Sequence, residues 1–174
     1  MEEVWDIFDE QGNRTGKRIR RGELLLPGEY HLVVHIWIKD KNNNLLIQKR
    51  ATHLEWEPGR WAATGGSAIA GEDSLTAAMR ETREEIGILL QPNKMKLITR
   101  RVRIDSLLDI WVAEVNIAAE QCVLEDAVSE VRFVTKDELM RMHETGSFVD
   151  YRKGEAYTDN IYMEIFDANF ARTI

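Results

Sequence analysis

Cysteine is almost absent: Cys122 is the only one in 174 residues. No intramolecular disulfide can form, so a reducing compartment is expected. Basic residues are outnumbered by acidic ones, 23 to 30, for a formal charge of −7. That balance argues against the broad basic stripe that a nucleic-acid polymer or an anionic membrane would require. A small phosphorylated ligand remains compatible, provided a metal cation stands between like charges. No apolar run approaches the ~20 residues of a membrane-spanning helix. The N-terminus, Met1-Glu2-Glu3-Val4-Trp5-Asp6, is acidic where a secretion signal is basic. Internal repeats and low-complexity tracts are missing as well, and Asn42–Asn44 reads as a turn. The expectation is a cytoplasmic protein without a membrane or nucleic-acid partner.

What is present is ordinary globular material, with 44% hydrophobic and 30% charged residues. The length fits one domain, and a domain of this size buries about 68–70% of its unfolded surface, so its core needs no staples. One domain over 1–174 is expected, with an N-terminal β extension at 1–29, a core at 30–140 and a C-terminal helical segment at 141–174. Val4, Trp5, Ile7 and Phe8 suggest a short strand, and a turn over Asp9, Gln11, Gly12 and Asn13 leads to a second. Tyr30–Ile38 is β-branched and apolar and reads as a buried strand. With Leu45–Arg50 it forms an expected hairpin over residues 30–50. Residues 51–71 read as a loop broken at Pro58-Gly59 and Gly65-Gly66. Further strands are expected at 96–104, 107–117 and 131–134, a short helix at 136–143, and a longer one over Ala156–Phe170. Tyr151, Tyr157 and Tyr162 read as packing for that last helix. Strands, one central helix, more strands and then helices suggest a mixed sheet flanked by helices, an α/β arrangement.

The central helix, over Glu72–Ile86, carries the informative residues. Leu75, Ala78, Met79, Thr82 and Ile86 recur at helical spacing and define a core stripe. Asp73 or Ser74 can cap its start, and Gly87 ends it. Glu81, Glu84 and Glu85 stand at i, i+3 and i+4, so the three carboxylates share one narrow sector away from that stripe. The plain reading is a solvated acidic face softened by Arg80 and Arg83. The alternative is a site for a hard cation, because Mg²⁺ takes carboxylate oxygens and keeps positions for substrate phosphates.

The longer pattern decides between these. Gly66, five residues, Glu72, seven residues, then Arg80-Glu81-Thr82-Arg83-Glu84-Glu85-Ile86-Gly87-Ile88 resembles the signature of the Nudix hydrolase superfamily. All seven fixed identities and their gaps match. Thr82 stands where an aliphatic residue is usual. The resemblance implies a Nudix-type α/β/α sandwich with a mixed β-sheet. It also implies water attack on a phosphorus of a diphosphate linkage, with Mg²⁺ or Mn²⁺ stabilising the extra charge. On this resemblance Glu84 and Glu85 are metal ligands, and Glu81 is a further ligand or the base that activates water. Gly65 lends a carbonyl oxygen to the metal, and Glu72 and Arg80 hold loop and helix together. The family often adds a distant carboxylate, and among Glu125, Asp126 and Glu130 the preferred one is Glu125.

Features outside this stretch resemble the branch related to isopentenyl-diphosphate isomerase. They are Asp9-Glu-x-Gly-x-x-Thr-Gly16, Arg21-Gly22, Tyr30-His31, Val34-His-Ile-Trp37, Gln48-Lys-Arg50 and Pro58-Gly-x-Trp61. That isomerase uses a cysteine and a histidine, whose positions here fall on Gly65 and Ser67. Without the thiol, isomerisation lacks one of its acid/base groups. The residues themselves read His31 and His35 as satisfied core histidines, while the resemblance would make His31 a relic of the isomerase metal site. Arg50, Lys49 and Trp61 are the candidate substrate-binding residues, with Trp56 as a second ring able to stack on a base. The expected partner is a small phosphorylated molecule, a nucleotide or nucleoside diphosphate derivative, and a homodimer is an open option. The rivals are an isomerase, a nucleotide-binding module without catalysis, and a structural protein with an acidic helix.

Overall fold

The computed structural model describes residues 3–153 and 157–170. Nine strands and three α-helices follow in chain order: β1 Val4–Phe8, β2 Arg14–Arg20, β3 His31–Lys39, β4 Leu45–Arg50, β5 Trp61–Ala62, β6 Thr64–Ser67, α1 Ser74–Ile86, β7 Met95–Val102, β8 Ser106–Glu114, β9 Val128–Val134, α2 Lys136–Glu144 and α3 Asp159–Asp167. β1 and β2 pair as a hairpin of their own. The main sheet runs β5-β4-β3-β8-β7, with β6 joined to β3 and β9 to β4. β3 and β8 are parallel and the other pairs antiparallel, so the sheet is mixed.

The expected hairpin over residues 30–50 forms only at its tip. Ile38 faces Leu46 and Lys39 faces Leu45. Beyond them β4 turns away to β5 and β9, and β6 takes its place beside β3, pairing Val33–Ile36 with Ser67–Thr64. Residues 51–71 therefore include two strands where a loop was expected. The Gly65-Gly66 pair hides β6 from any side-chain pattern, yet smallness is what the position needs. A Cβ on Gly65 would run into the Val34 carbonyl oxygen, and one on Gly66 would lie 2.5 Å from the Glu81 carboxyl carbon.

β3 is buried on both faces, as its near-continuous apolar run predicts. Leu32, Val34, Ile36 and Ile38 pack with Ala77, Ala78 and Ile86 of α1. Trp37 points the other way, with Leu108, Ile110 and Val112 of β8, against Leu139 and Met142 of α2 and Ile161, Tyr162, Ile165 and Phe166 of α3. The result is a three-layer α/β/α sandwich. Each fully buried aliphatic side chain contributes about 1.5–3 kcal/mol.

Helix ends follow local chemistry. The Asp73 carboxylate accepts from the Thr76 N–H at 2.8 Å, and Gly87 closes α1 in the left-handed region at φ 73°. α3 is shorter than the expected Ala156–Phe170 helix. Ala156 lies outside the described residues, and the helix ends at Asp167. Its terminal carbonyls are taken over by a buried lysine: Lys39 Nζ donates to Ile165 (3.3 Å), Phe166 (2.6 Å) and Ala168 (2.9 Å). This is a C-terminal cap supplied from the sheet. No helix of the described residues is long and apolar enough to cross a membrane.

Candidate active site

The wedge between β3 and the departing β4 is where α1 meets the sheet through polar atoms. Glu85 Oε2 accepts from Gln48 Nε2 at 2.9 Å and from the Gly65 N–H at 3.2 Å. Gln48 is fixed in turn, because its Oε1 accepts from the Thr64 hydroxyl at 3.0 Å. Burial pushes the Glu85 carboxyl up to about 7, with Gln48 opposing and Glu81 adding to the rise. Glu81 lies one turn earlier, its side chain only 14% exposed. Burial raises it to about 6 against the pull of Arg80. Glu84 is the solvated member, 46% exposed. The acidic sector is thus not uniformly solvated: two of its three carboxylates are drawn against β6 and β4.

Arg80 is the hub of this helix face. It grips Glu72 through Nε (2.8 Å) and Nη2 (3.0 Å), and Nη2 also donates to the Ser67 carbonyl at 3.0 Å. Its Nη1 reaches Glu81 at 3.0 Å and Glu84 at 2.9 Å. Glu72 also accepts from the Ile69 N–H at 3.0 Å. Loop and helix are therefore locked by one arginine facing three carboxylates. The hydrogen bond to Glu72 is the largest influence holding the Arg80 proton, and its pKa is raised.

Side chains are turned to these partners rather than to a common point. Among the described residues no three His, Cys, Asp or Glu side chains stand together in a set able to hold a metal ion as placed. The donor chemistry nevertheless fits a hard divalent cation. Two desolvated carboxylates are pushed toward neutrality because one arginine, shared among Glu72, Glu81 and Glu84, does not compensate them. Carboxylate oxygens beside a glycine backbone are what Mg²⁺ or Mn²⁺ takes. As placed, Glu84 Oε2 is held by Arg80, and Glu85 Oε2 by Gln48 and the Gly65 N–H.

The remaining expected residues are scattered around this wedge. The Glu125 N–H donates to the Glu85 carbonyl oxygen at 3.0 Å, so this loop caps the last turn of α1, and the Glu125 side chain is exposed. Asp126 pairs with His53 at 3.4 Å, and Glu130 with Lys49 at 3.9 Å. Arg50 stacks its guanidinium 4.7 Å over the Trp56 ring and donates to the Trp56 carbonyl at 2.8 Å. Its charge also bears on Glu85. Trp61 is only 8% exposed and sits in the aromatic core between Lys49 (5.8 Å) and Arg132 (4.8 Å). Trp61 offers no open ring face because it starts a strand that pairs with β4; Trp56, 54% exposed, is the available ring. The sequence marks Gln48 only within Gln48-Lys-Arg50 and does not mark Thr64; together they position Glu85, and Gln48 is the one polar side chain in the buried part of β4.

His31 and His35 are buried in different ways. His35 Nδ1 lies 3.0 Å from the Tyr157 hydroxyl, and burial drives its pKa down to about 3. His31 stacks on Trp5, ring centroids 4.1 Å apart, but its Nδ1 has no hydrogen-bond partner among the described residues, so there it is not the satisfied core histidine expected. Cys122 packs beside the aliphatic layer near the end of α1, whereas Gly65 and Ser67 occupy β6. A cleft of about 1120 Å³ opens at the far end of β3 and β8, around Lys39, Leu90, Glu114 and Phe170. It contains none of the wedge carboxylates, and size alone gives it no chemistry.

A family model for the NUDIX domain matches residues 29–152. The chain belongs to the Nudix family. It is 38% identical over 151 residues to an uncharacterized Nudix hydrolase of Listeria monocytogenes, covering 86% of this chain and 89% of that one. An isopentenyl-diphosphate Delta-isomerase of Streptomyces griseus is 32% identical over 84 residues, 48% of this chain and 43% of the isomerase. Among solved structures, a Deinococcus radiodurans protein superposes with TM-score 0.70 at 18% identity, covering 88% of this chain and 96% of that one. The NUDIX domain of Shewanella oneidensis NrtR, solved with ADP ribose, gives TM-score 0.52 at 16% identity, covering 64% of this chain and 77% of that one. These likenesses establish the Nudix fold.

Proposed function

We propose that this Nudix chain is a divalent-metal-dependent pyrophosphohydrolase acting on a nucleoside diphosphate derivative or nucleotide. The observation that carries the reading is the pair of desolvated carboxylates, Glu81 and Glu85, against a glycine strand at the entrance to α1. Bound Mg²⁺ or Mn²⁺ would supply charge stabilisation for the phosphorane-like oxygens. Glu84, Glu85 and the Gly65 carbonyl are assigned as its ligands, Glu81 as a further ligand, and Glu125 as the distal carboxylate. The alternative role for Glu81 is the base that accepts a proton from the attacking water. Gln48 and Thr64 hold Glu85 in place, and Arg80 with Glu72 keeps the loop docked on α1. Arg50 and Lys49 are assigned to phosphate oxygens of the substrate, and the exposed Trp56 ring to stacking on a base. The ADP ribose held by the Shewanella neighbour supports a nucleotide-derived substrate.

Isomerase chemistry on carbon would need a thiol where Gly65 stands, so the likeness to the Streptomyces isomerase does not extend to its acid/base group. The test is turnover of a panel of nucleoside diphosphate derivatives and nucleotides with Mg²⁺ or Mn²⁺, with the products identified. The reading requires phosphate-containing products that vanish in Glu85→Gln. Absence of turnover across the panel, or exchange between allylic prenyl diphosphate isomers, contradicts it.

A further inference from the structure

The loop between β4 and β5 carries an exposed aromatic ring that is pinned in place. Trp56 is 54% exposed. The loop around it is closed at its base by backbone: the Arg50 N–H donates to the Arg60 carbonyl at 2.8 Å, and the Gly59 N–H to the Arg50 carbonyl at 3.1 Å. Inside that closure Arg50 turns its side chain back over the loop. Its Nε donates to the Trp56 carbonyl at 2.8 Å, and its guanidinium carbon lies 4.7 Å from the centre of the Trp56 ring. One face of the indole is therefore covered by a cation, and the exposure belongs to the other face and the ring edge.

The turn behind this arrangement is strained. Glu57 adopts φ 47°, a left-handed conformation that a residue with a Cβ rarely takes. Strain of this kind persists only where neighbours impose it, and it gathers at ligand clamps. Here Arg60 Nη1 holds the Glu57 carboxylate at 2.7 Å, and the Arg60 N–H donates to the Glu57 carbonyl at 3.4 Å. The chain reverses directly after Trp56, with the Trp56 carbonyl on Arg50 and the ring toward solvent. A single exposed tryptophan needs no explanation. One held by a strained turn, an ion pair and a stacked arginine does.

Arg50 also joins the ring to the α1 carboxylates. It stands two residues beyond Gln48 on β4, so both side chains leave the same face of the strand, about 7 Å apart. Gln48 Nε2 donates to Glu85 at 2.9 Å. Arg50 Nη1 and Nη2 donate to none of the described residues, which leaves their N–H groups for an oxyanion.

We propose that Trp56, Arg50 and Glu57 form a platform that selects substrates by their base. A nucleobase stacks on the open face of Trp56, and the Arg50 Nη groups take a phosphate oxygen on the way to the α1 carboxylates. The platform rests on the pyrophosphohydrolase reading and narrows it: diphosphates without an aromatic base are poor substrates. Trp56 touches the base, and Glu57 is a positioning residue that acts through Trp56.

Binding separates this proposal from the parent reading. The probes are methylene-bridged nucleoside diphosphates carrying each of the four common bases, and the matching ribose diphosphate without a base. Each is titrated calorimetrically into the whole protein in Mg²⁺. At least one nucleoside probe should bind at least about tenfold more tightly than the base-free probe, the scale of a base stacked on an aromatic ring. Trp56→Ala should erase that preference and Trp56→Phe should keep most of it. Arg50→Ala should weaken the base-free probe as well. Glu57→Ala, which releases Arg60, should lower the preference severalfold, with Glu57→Gln between it and the unmodified protein. Equal affinity for base-free and nucleoside probes, or a preference that survives Trp56→Ala, overturns the platform even if Glu85→Gln abolishes turnover. If the preference depends on Trp56 while no cleavable counterpart of the probes is turned over, the hydrolase reading fails and the platform stands.

Discussion

The two faces of β3 solve opposite problems. On the α1 face the core is aliphatic, and carboxylates are pulled toward it with incomplete compensation, so Glu81 and Glu85 hold raised pKa values. On the α2–α3 face the core is aromatic, and basic groups are buried with theirs lowered: Lys39, His35 and His143, each chiefly by desolvation. One face buries carboxylates that a single arginine only partly offsets. The other removes charge, or ties it to helix carbonyls.

The comparison breaks most sharply if carboxylates on the first face prove structural. Glu84→Gln and Glu85→Gln are each expected to lower kcat at least ~10²-fold, the scale for removing electrostatic stabilisation, while thermal melting shows the fold intact. Melting of the metal-free Glu85→Gln protein should be unchanged or higher, because a desolvated charge is removed. Gly66→Ala should also lose most of its activity in the same assay, since its methyl would meet the Glu81 carboxylate.

On the supporting face the large effect should fall on stability. Lys39→Met keeps the stem but abandons three carbonyls, and urea unfolding should show a loss of about 2–3 kcal/mol. Catalysis by the folded fraction should be little altered. A smaller effect concerns pH. The His143 pKa is lowered in the fold, so the unfolded chain takes up the proton first as pH falls below about 6.5. Its contribution is therefore intact above that value and declines below it, by at most about 1.4 kcal/mol per pH unit. Replacing His143 by Phe should flatten the acid side of the urea-midpoint profile, and an unchanged slope would assign that loss to other groups.

Legibility from sequence divides along the same line. α1, its Asp73 and Gly87 caps and its acidic sector were readable because helical spacing and a family signature coincide there. β6 is not, since its glycines erase the alternation that announces a strand and Gly65 pairs with His35, 30 residues away; β5 is only two residues long. The roles of Gln48 and Thr64 depend on how β4 leaves β3, a tertiary event without a local pattern. Trp61 and Trp56 look equivalent around Pro58-Gly59, yet one is committed to a strand and the other is left outside. The end of α3 at Asp167 depends on Lys39, more than 120 positions earlier, which no window on the helix itself contains.

Binding of Mn²⁺, followed by its electron paramagnetic resonance signal, addresses the α1 face most directly. The intact protein should deplete the free-ion spectrum at a single class of site, and the double variant Glu84→Gln/Glu85→Gln should leave that spectrum untouched. Equal uptake by the two proteins, or no uptake by either, would contradict the assignment of these carboxylates to a metal.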